Sequence, residues 1–219
     1  MNMGDRDYYI ADDEANSKIR DSYRNYIQKI FTLSGYSAES AAQAAAATVL
    51  KVETEIAKAA FTREELRDPQ AGYNVMTIDE LKRQFGGLDW DIYFNTVGLD
   101  SLKKINIGQP RTLKAVNNLL ETLSEQEIRD YLAFNCIDGA APYLSDDFVN
   151  AHFDFYSKTL SGKKQSNKSV ISGSHSRNTI NWSLSRMTWP LQEKSSKPFF
   201  PVLFRLFLNW REWSISMPP

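Results

Sequence analysis

The chain has 219 residues with 26 Lys+Arg against 27 Asp+Glu, a formal net charge of -1, and one cysteine. That length holds one domain with a full core, or a domain with an appendage, and the near-even charge balance argues against a general nucleic-acid binder, which needs a basic face to neutralise phosphates. Cys136 excludes an internal disulfide and a Cys-built zinc site; a free cysteine behaves as a small apolar residue, so it is expected to be buried.

The opening Asp5-Arg6-Asp7-Tyr8-Tyr9 is acidic and aromatic and carries neither the basic nor the apolar region of a signal peptide. No window reaches about 18 consecutive apolar residues, so no transmembrane segment is expected and the chain as written would stay in the cytoplasm. Asp12-Asp13-Glu14 then places carboxylates where a helix first turn favours them, and Ile19, Tyr23, Tyr26, Ile27, Ile30 and Phe31 follow at helical spacing. Gly35 is the expected stop and Ser37 the expected N-cap of a second, alanine-rich helix from about Ala38 to Phe61. The small side chains of Ala41 to Ala47 predict close helix packing, and alanine has the best helix propensity.

The stretch from Phe61 to Trp90 reads as a helix running out, a fixed turn and a fresh helix. Pro69 pushes Asp68 out of the α region, and Gly72 offers a permissive backbone for the return. Thr77 and Glu80 form a capping box for a helix over 78–85, which Gly86-Gly87 ends; Asp89 caps another that carries Trp90, Tyr93 and Phe94. Residues 103–107 alternate as a short strand, Pro110 opens a helix over 111–123, and Ser124 with Glu127 caps one running to about Ile137. Gly139 to Pro142 is expected to break that helix. Ser145, Asp146 and Asp147 start a last one with Phe148, His152, Phe155 and Tyr156, ending at Gly162. Residues 1–164 therefore predict an all-α domain, an antiparallel array of six or seven helices joined by short loops.

From about Gln165 the character changes. Residues 165–219 hold seven Lys+Arg against two Asp+Glu, hence +5, and the remaining 19 against 25 leave -6 on residues 1–164. Four of the five tryptophans lie in this irregular C-terminal tail. One reading is a basic, aromatic arm that would make the chain a non-catalytic, helical protein-binding module or a membrane-surface binder. Phe199 to Trp210, broken by Pro201 and Arg205, is too short to span a bilayer. The third and favoured reading is an altered reading frame, whose residues were never selected to fold.

Catalytic signatures are missing. The two histidines, His152 and His175, do not stand in H-E-x-x-H, whose spacing sets two imidazoles on one helix face to bind zinc. His152 sits in an amphipathic helix, where a packed structural histidine is the expectation. Asp146, Asp147 and Asp154 could be imagined as metal or acid/base carboxylates, but the first two occupy a helix first turn, where the dipole accounts for them. No G-x-G-x-x-G, P-loop or G-x-S-x-G is present. Asn167 to Ser169 and Asn181 to Ser183 match the glycosylation sequon, a weak pattern.

Asp5-Arg6-Asp7-Tyr8-Tyr9, Arg67-Asp68-Pro69 with Tyr73-Asn74, Leu88-Asp89-Trp90, Tyr131-Leu132 and Leu160-Ser161-Gly162-Lys163, in this order and spacing, resemble the N-terminal domain of the neprilysin-like zinc metallopeptidases. That family includes neprilysin, the endothelin-converting enzymes and bacterial oligoendopeptidases. The resemblance covers residue 5 to about 164. It implies a helical lid over a thermolysin-like catalytic domain, enclosing a chamber that admits oligopeptides and excludes folded proteins. It also implies zinc as the cofactor of the intact family, with an oligopeptide substrate and a catalytic domain as partners, in proteins that are often periplasmic, cell-surface or extracellular. Two departures limit it. The family's Asp-Phe, Tyr, Gly, Trp signature and its signal or anchor would lie upstream of this chain. The zinc-binding H-E-x-x-H, the downstream glutamate ligand and the substrate-holding Asn-Ala motif have no counterpart in residues 166–219. The expectation is a fragment truncated at both ends, inactive alone, with no catalytic, cofactor-binding or metal residue of its own.

Overall fold

A computed structural model describes residues 1–163 of the chain, and the tail, with His175 and both sequons, lies outside the described residues. The described part is all-α apart from one two-stranded antiparallel pairing. Helices α1 (Asp7–Ile10), α2 (Glu14–Leu33) and α3 (Glu39–Ala59) lead into a 3-10 turn at Glu65–Arg67. Strand β1 (Val75–Thr77) runs directly into α4 (Ile78–Gln84), followed by α5 (Trp90–Thr96) and β2 (Lys104–Asn106). Helices α6 (Pro110–Thr122) and α7 (Glu125–Ala140), a 3-10 turn at Ala141–Tyr143, α8 (Asp146–His152) and a π-helical segment at Phe153–Thr159 complete it.

Most boundaries follow the expected chemistry. Asp13 caps α2 by accepting from the Asn16 amide at 2.8 Å, and Gly35 closes it at φ +69°, the left-handed conformation that favours glycine. Both capping boxes form: the Thr77 and Ser124 hydroxyls accept from the amides of Glu80 and Glu127, whose carboxylates reach back to the capping residues. Asp68 takes the extended backbone that Pro69 demands, and Pro110 stands at the start of α6.

Several expectations are corrected. Ser37 does not cap α3; Ala38 holds that position without a side-chain bond, and the Ser37 Oγ is enclosed with no partner. Gly72 does not use left-handed backbone, so the turn there is made by Pro69 and by hydrogen bonds. The Gly139 to Pro142 stretch does end α7, as expected, but at Ala140 rather than near Ile137, and the chain then tightens at Ala141–Tyr143. Cys136 is only half-buried. Residues 104–106 are a strand because they pair antiparallel with Val75–Thr77, Met76 opposite Ile105, a partner the sequence reading does not foresee.

Two apolar cores result. The larger packs α1, α2, α3, α7 and the C-terminal segment around Tyr23, Ile27, Ile30, Phe31, Val49 and Phe134, all removed from solvent. Only part of the alanine run packs there: Ala42, Ala45 and Ala46 are buried, whereas Ala41, Ala44 and Ala47 face water. The smaller core joins Leu81, Phe85, Trp90, Phe94 and Ile105 beneath Leu113 of α6. Helix α6 serves both, Leu113 in the smaller and Val116 with Leu119 in the larger. Burial of each such side chain stabilises the fold by about 1.5–3 kcal/mol.

Candidate functional site

The main polar centre of the described residues lies inside the larger core, on positions that periodicity assigns to apolar stripes. Val49, Val52, Glu53 and Ile56 share the inner face of α3, so Glu53 is delivered fully buried. Its Oε1 accepts from the backbone amide of Asn2 at 3.0 Å, and its Oε2 accepts from the hydroxyls of Tyr9 at 2.9 Å and Tyr23 at 2.8 Å. The Tyr9 hydroxyl in turn accepts from the Met3 amide at 2.9 Å. Burial, together with the nearby Glu53 carboxylate, pushes both phenols well above the usual tyrosine range, so they remain protonated donors. The N-terminal residues and α1 are thus tied to α2 and α3 by one carboxylate. Every bond at Glu53 is one of acceptance from a non-reacting donor, which is the arrangement of a structural buried acid.

A second carboxylate, Asp138 of α7, accepts from the Tyr26 hydroxyl at 2.5 Å and the Tyr156 hydroxyl at 3.1 Å. His152 lies against this pair, its ring 4.5 Å from Tyr156 and 6.4 Å from Tyr26, centroid to centroid. Burial lowers the imidazole's basicity. His152 is therefore a half-buried packing residue, as expected. Sequence reasoning missed Glu53 and Asp138. The available signal was a carboxylate interrupting an apolar stripe, Asp138 following Tyr131 and Phe134 at helical spacing.

The stretch 61–90 is held by α6. The Arg111 guanidinium donates to the carbonyls of Ala59 at 2.9 Å and Ala60 at 3.2 Å and to both carboxylate oxygens of Glu65, at 3.1 and 2.9 Å, while lying 5.1 Å over the Phe61 ring. Further on, Asn106 Oδ1 accepts from the Asn74 amide at 2.7 Å and Asn106 Nδ2 donates to the Gly72 carbonyl at 3.0 Å. This frame leaves Leu66 and Tyr73 at the surface, 60% and 72% exposed.

The carboxylates weighed from sequence do not assemble. Asp146 and Asp147 stand in the first turn of α8, and Asp154 pairs with Lys158 at 3.8 Å. Among the described residues no group of three or more His, Cys, Asp or Glu side chains is placed to hold a metal ion. Catalytic zinc requires three protein ligands with an open position, so these residues do not fit it. No described helix is long and apolar enough to cross a membrane.

The family model for Peptidase family M13 matches residues 1–190. The chain belongs to peptidase family M13. The matched span runs past residue 164, where the sequence resemblance ends. Membrane metallo-endopeptidase-like 1 of Homo sapiens is 30% identical over 177 residues, covering 74% of this chain and 22% of that protein. Endothelin-converting enzyme 1 of Cavia porcellus is 26% identical over 168 residues, 75% of this chain and 22% of that protein. Among solved structures, the zinc metalloprotease Zmp1 of Mycobacterium tuberculosis in its open state aligns with a TM-score of 0.69 at 25% identity, covering 74% of this chain and 25% of that one. The chain thus spans about a fifth to a quarter of the length of these family M13 relatives.

Proposed function

We propose that this chain supplies the helical, substrate-enclosing part of a neprilysin-like zinc metalloendopeptidase acting on oligopeptides, and that it does not itself supply the zinc site. The observation that carries the reading is the family match over residues 1–190 combined with an interior whose carboxylates are consumed by tyrosine and backbone donors. A zinc hydrolase needs three ligands, an open coordination position and a general base, and these belong to the remainder of a family-length protein. The catalytic domain is accordingly the partner, and a peptide enclosed between the two is the substrate.

A chimera tests this. Residues 1–163 replace the corresponding segment of the Mycobacterium tuberculosis zinc metalloprotease, and zinc-dependent cleavage of a short peptide is compared with cleavage of a folded protein. Retained peptide cleavage with exclusion of the folded protein supports the reading. A folded, zinc-loaded chimera that leaves the peptide intact overturns it. Because the family match reaches residue 190, the altered-frame reading is confined to the residues beyond it, and it has a separate check: one of the other two frames of the coding DNA should continue the helical domain and later reach H-E-x-x-H. If neither does, that reading fails.

A further inference from the structure

Asp138 differs from Glu53 in what surrounds it. It is partly buried, it bridges α2 and the C-terminal π-helical segment, and no lysine or arginine pairs with it among the described residues. The titratable groups facing it are Tyr23 and Tyr26 from α2, Glu53 from α3 and Tyr156 from the π-helical segment, with His152 of α8 against the Tyr26 and Tyr156 rings and Tyr9 of α1 beyond Glu53. One is an acid, the phenols are neutral donors, and burial lowers the basicity of the imidazole. The charge of an ionised Asp138 is therefore met by hydroxyl dipoles alone.

The element it holds is irregular in its backbone bonding. The π-helical segment relies on wide turns: Leu160 donates to the Phe155 carbonyl at 2.9 Å and Lys163 to the Ser157 carbonyl at 2.8 Å, a pattern found mostly as single turns, often at functional positions. It is held to the domain by Phe155, stacked on Tyr23 and Tyr26 with centroids 5.0 and 5.2 Å apart, by the Tyr156 ring against Tyr26 at 5.5 Å, by Leu160 against the larger core, and by the Tyr156 hydroxyl on Asp138.

We propose that Asp138 is a proton-operated latch, fastening the π-helical segment to α2 through Tyr156 and Tyr26 when it is neutral and loosening that segment when it is ionised. The proton is taken from solvent by Oδ2, the oxygen bonded to Tyr156. Its O–H then donates to the Tyr156 hydroxyl oxygen, while Tyr26 still donates to Oδ1, so both contacts persist without a buried charge. On ionisation the carboxylate recovers hydration by opening the segment. Burial, opposed by the bonds from Tyr26 and Tyr156 and assisted by the Glu53 carboxylate, pushes the Asp138 carboxyl up to about 6. Because this value is raised above the ordinary 3.8, the latch's contribution is complete below about pH 4 and is lost as pH rises through about 6.

Hydrogen exchange on the full chain tests it, read at pH 5 and pH 7.5 and corrected for intrinsic rates. Protection of the Leu160, Gly162 and Lys163 amides is expected to fall at least about tenfold between the two, with amides in the middle of α3 unchanged. Asp138→Asn should abolish the difference. Tyr156→Phe, which keeps the ring and removes the hydroxyl, should diminish it and serves where the first variant does not fold. Equal corrected protection at both pH values, or an undiminished difference in the folded variants, overturns the proposal.

Discussion

Gly87 donates its amide to Asn117 Oδ1 at 2.7 Å, and a Cβ placed on Gly87 would stand 2.8 Å from that same oxygen and 3.2 Å from the Asn117 carbonyl. The contact locks the end of the stretch 61–90 against α6 and leaves no room for a side chain. Gly87→Ala is expected to destabilise the chain by about 1–3 kcal/mol through overpacking, and Asn117→Ala by about 1–3 kcal/mol through the orphaned amide. Urea unfolding of both and of the double variant should show losses that are less than additive.

Glu53 governs the junction of the N-terminal residues with α2 and α3. Glu53→Leu, close in volume, removes the acceptor of two phenols and one amide and is expected to cost about 3–5 kcal/mol. Adding Tyr23→Phe removes one of the orphaned hydroxyls and should recover part of the loss. A double variant no more stable than Glu53→Leu would mean that the Tyr23 hydroxyl finds another acceptor.

Apart from α1 and the π-helical segment, helical existence and order were legible in the sequence because they rest on short-range chemistry: capping boxes at Thr77 and Ser124, a proline at the start of α6, a left-handed glycine after α2. What was not legible depends on partners far along the chain. Strand β2 exists only because Val75–Thr77 pairs with it across an intervening pair of helices. Ser37 lost its capping role to Ala38, whose extended backbone directly precedes α3. Glu53 and Asp138 were hidden for a related reason: a carboxylate reads as a surface residue until the tyrosines that satisfy it are brought in from α1, α2 and the C-terminal segment.

Acid should weaken the α3–α7 contact. The Lys51 ammonium, with the Ser124 amide and hydroxyl, holds the Glu127 carboxyl down to about 2 from an ordinary 4.5. A lowered carboxylate contributes stability that is present above 4.5 and lost as pH falls through about 2. The urea midpoint should decline over that window, and Glu127→Gln should flatten the decline. Asp138 acts with the opposite sign and at higher pH, so the two titrations are separable.

Arg111→Lys keeps the charge but loses the fork that reaches both Glu65 oxygens and two carbonyls. Because the pair is substantially exposed, the expected loss is only about 1 kcal/mol. Its clearer readout is faster amide exchange over residues 60–67, with α2 unaffected.

The proposed role, in which this family M13 chain provides scaffold and enclosure while the zinc chemistry belongs to the rest of a family-length protein, is open to one direct test. Incubation of the purified full chain with zinc and a quenched fluorescent oligopeptide, with and without a chelator, tests it most directly. No chelator-sensitive cleavage and no stoichiometric zinc uptake are predicted. Zinc-dependent cleavage that co-purifies with the chain would contradict the account.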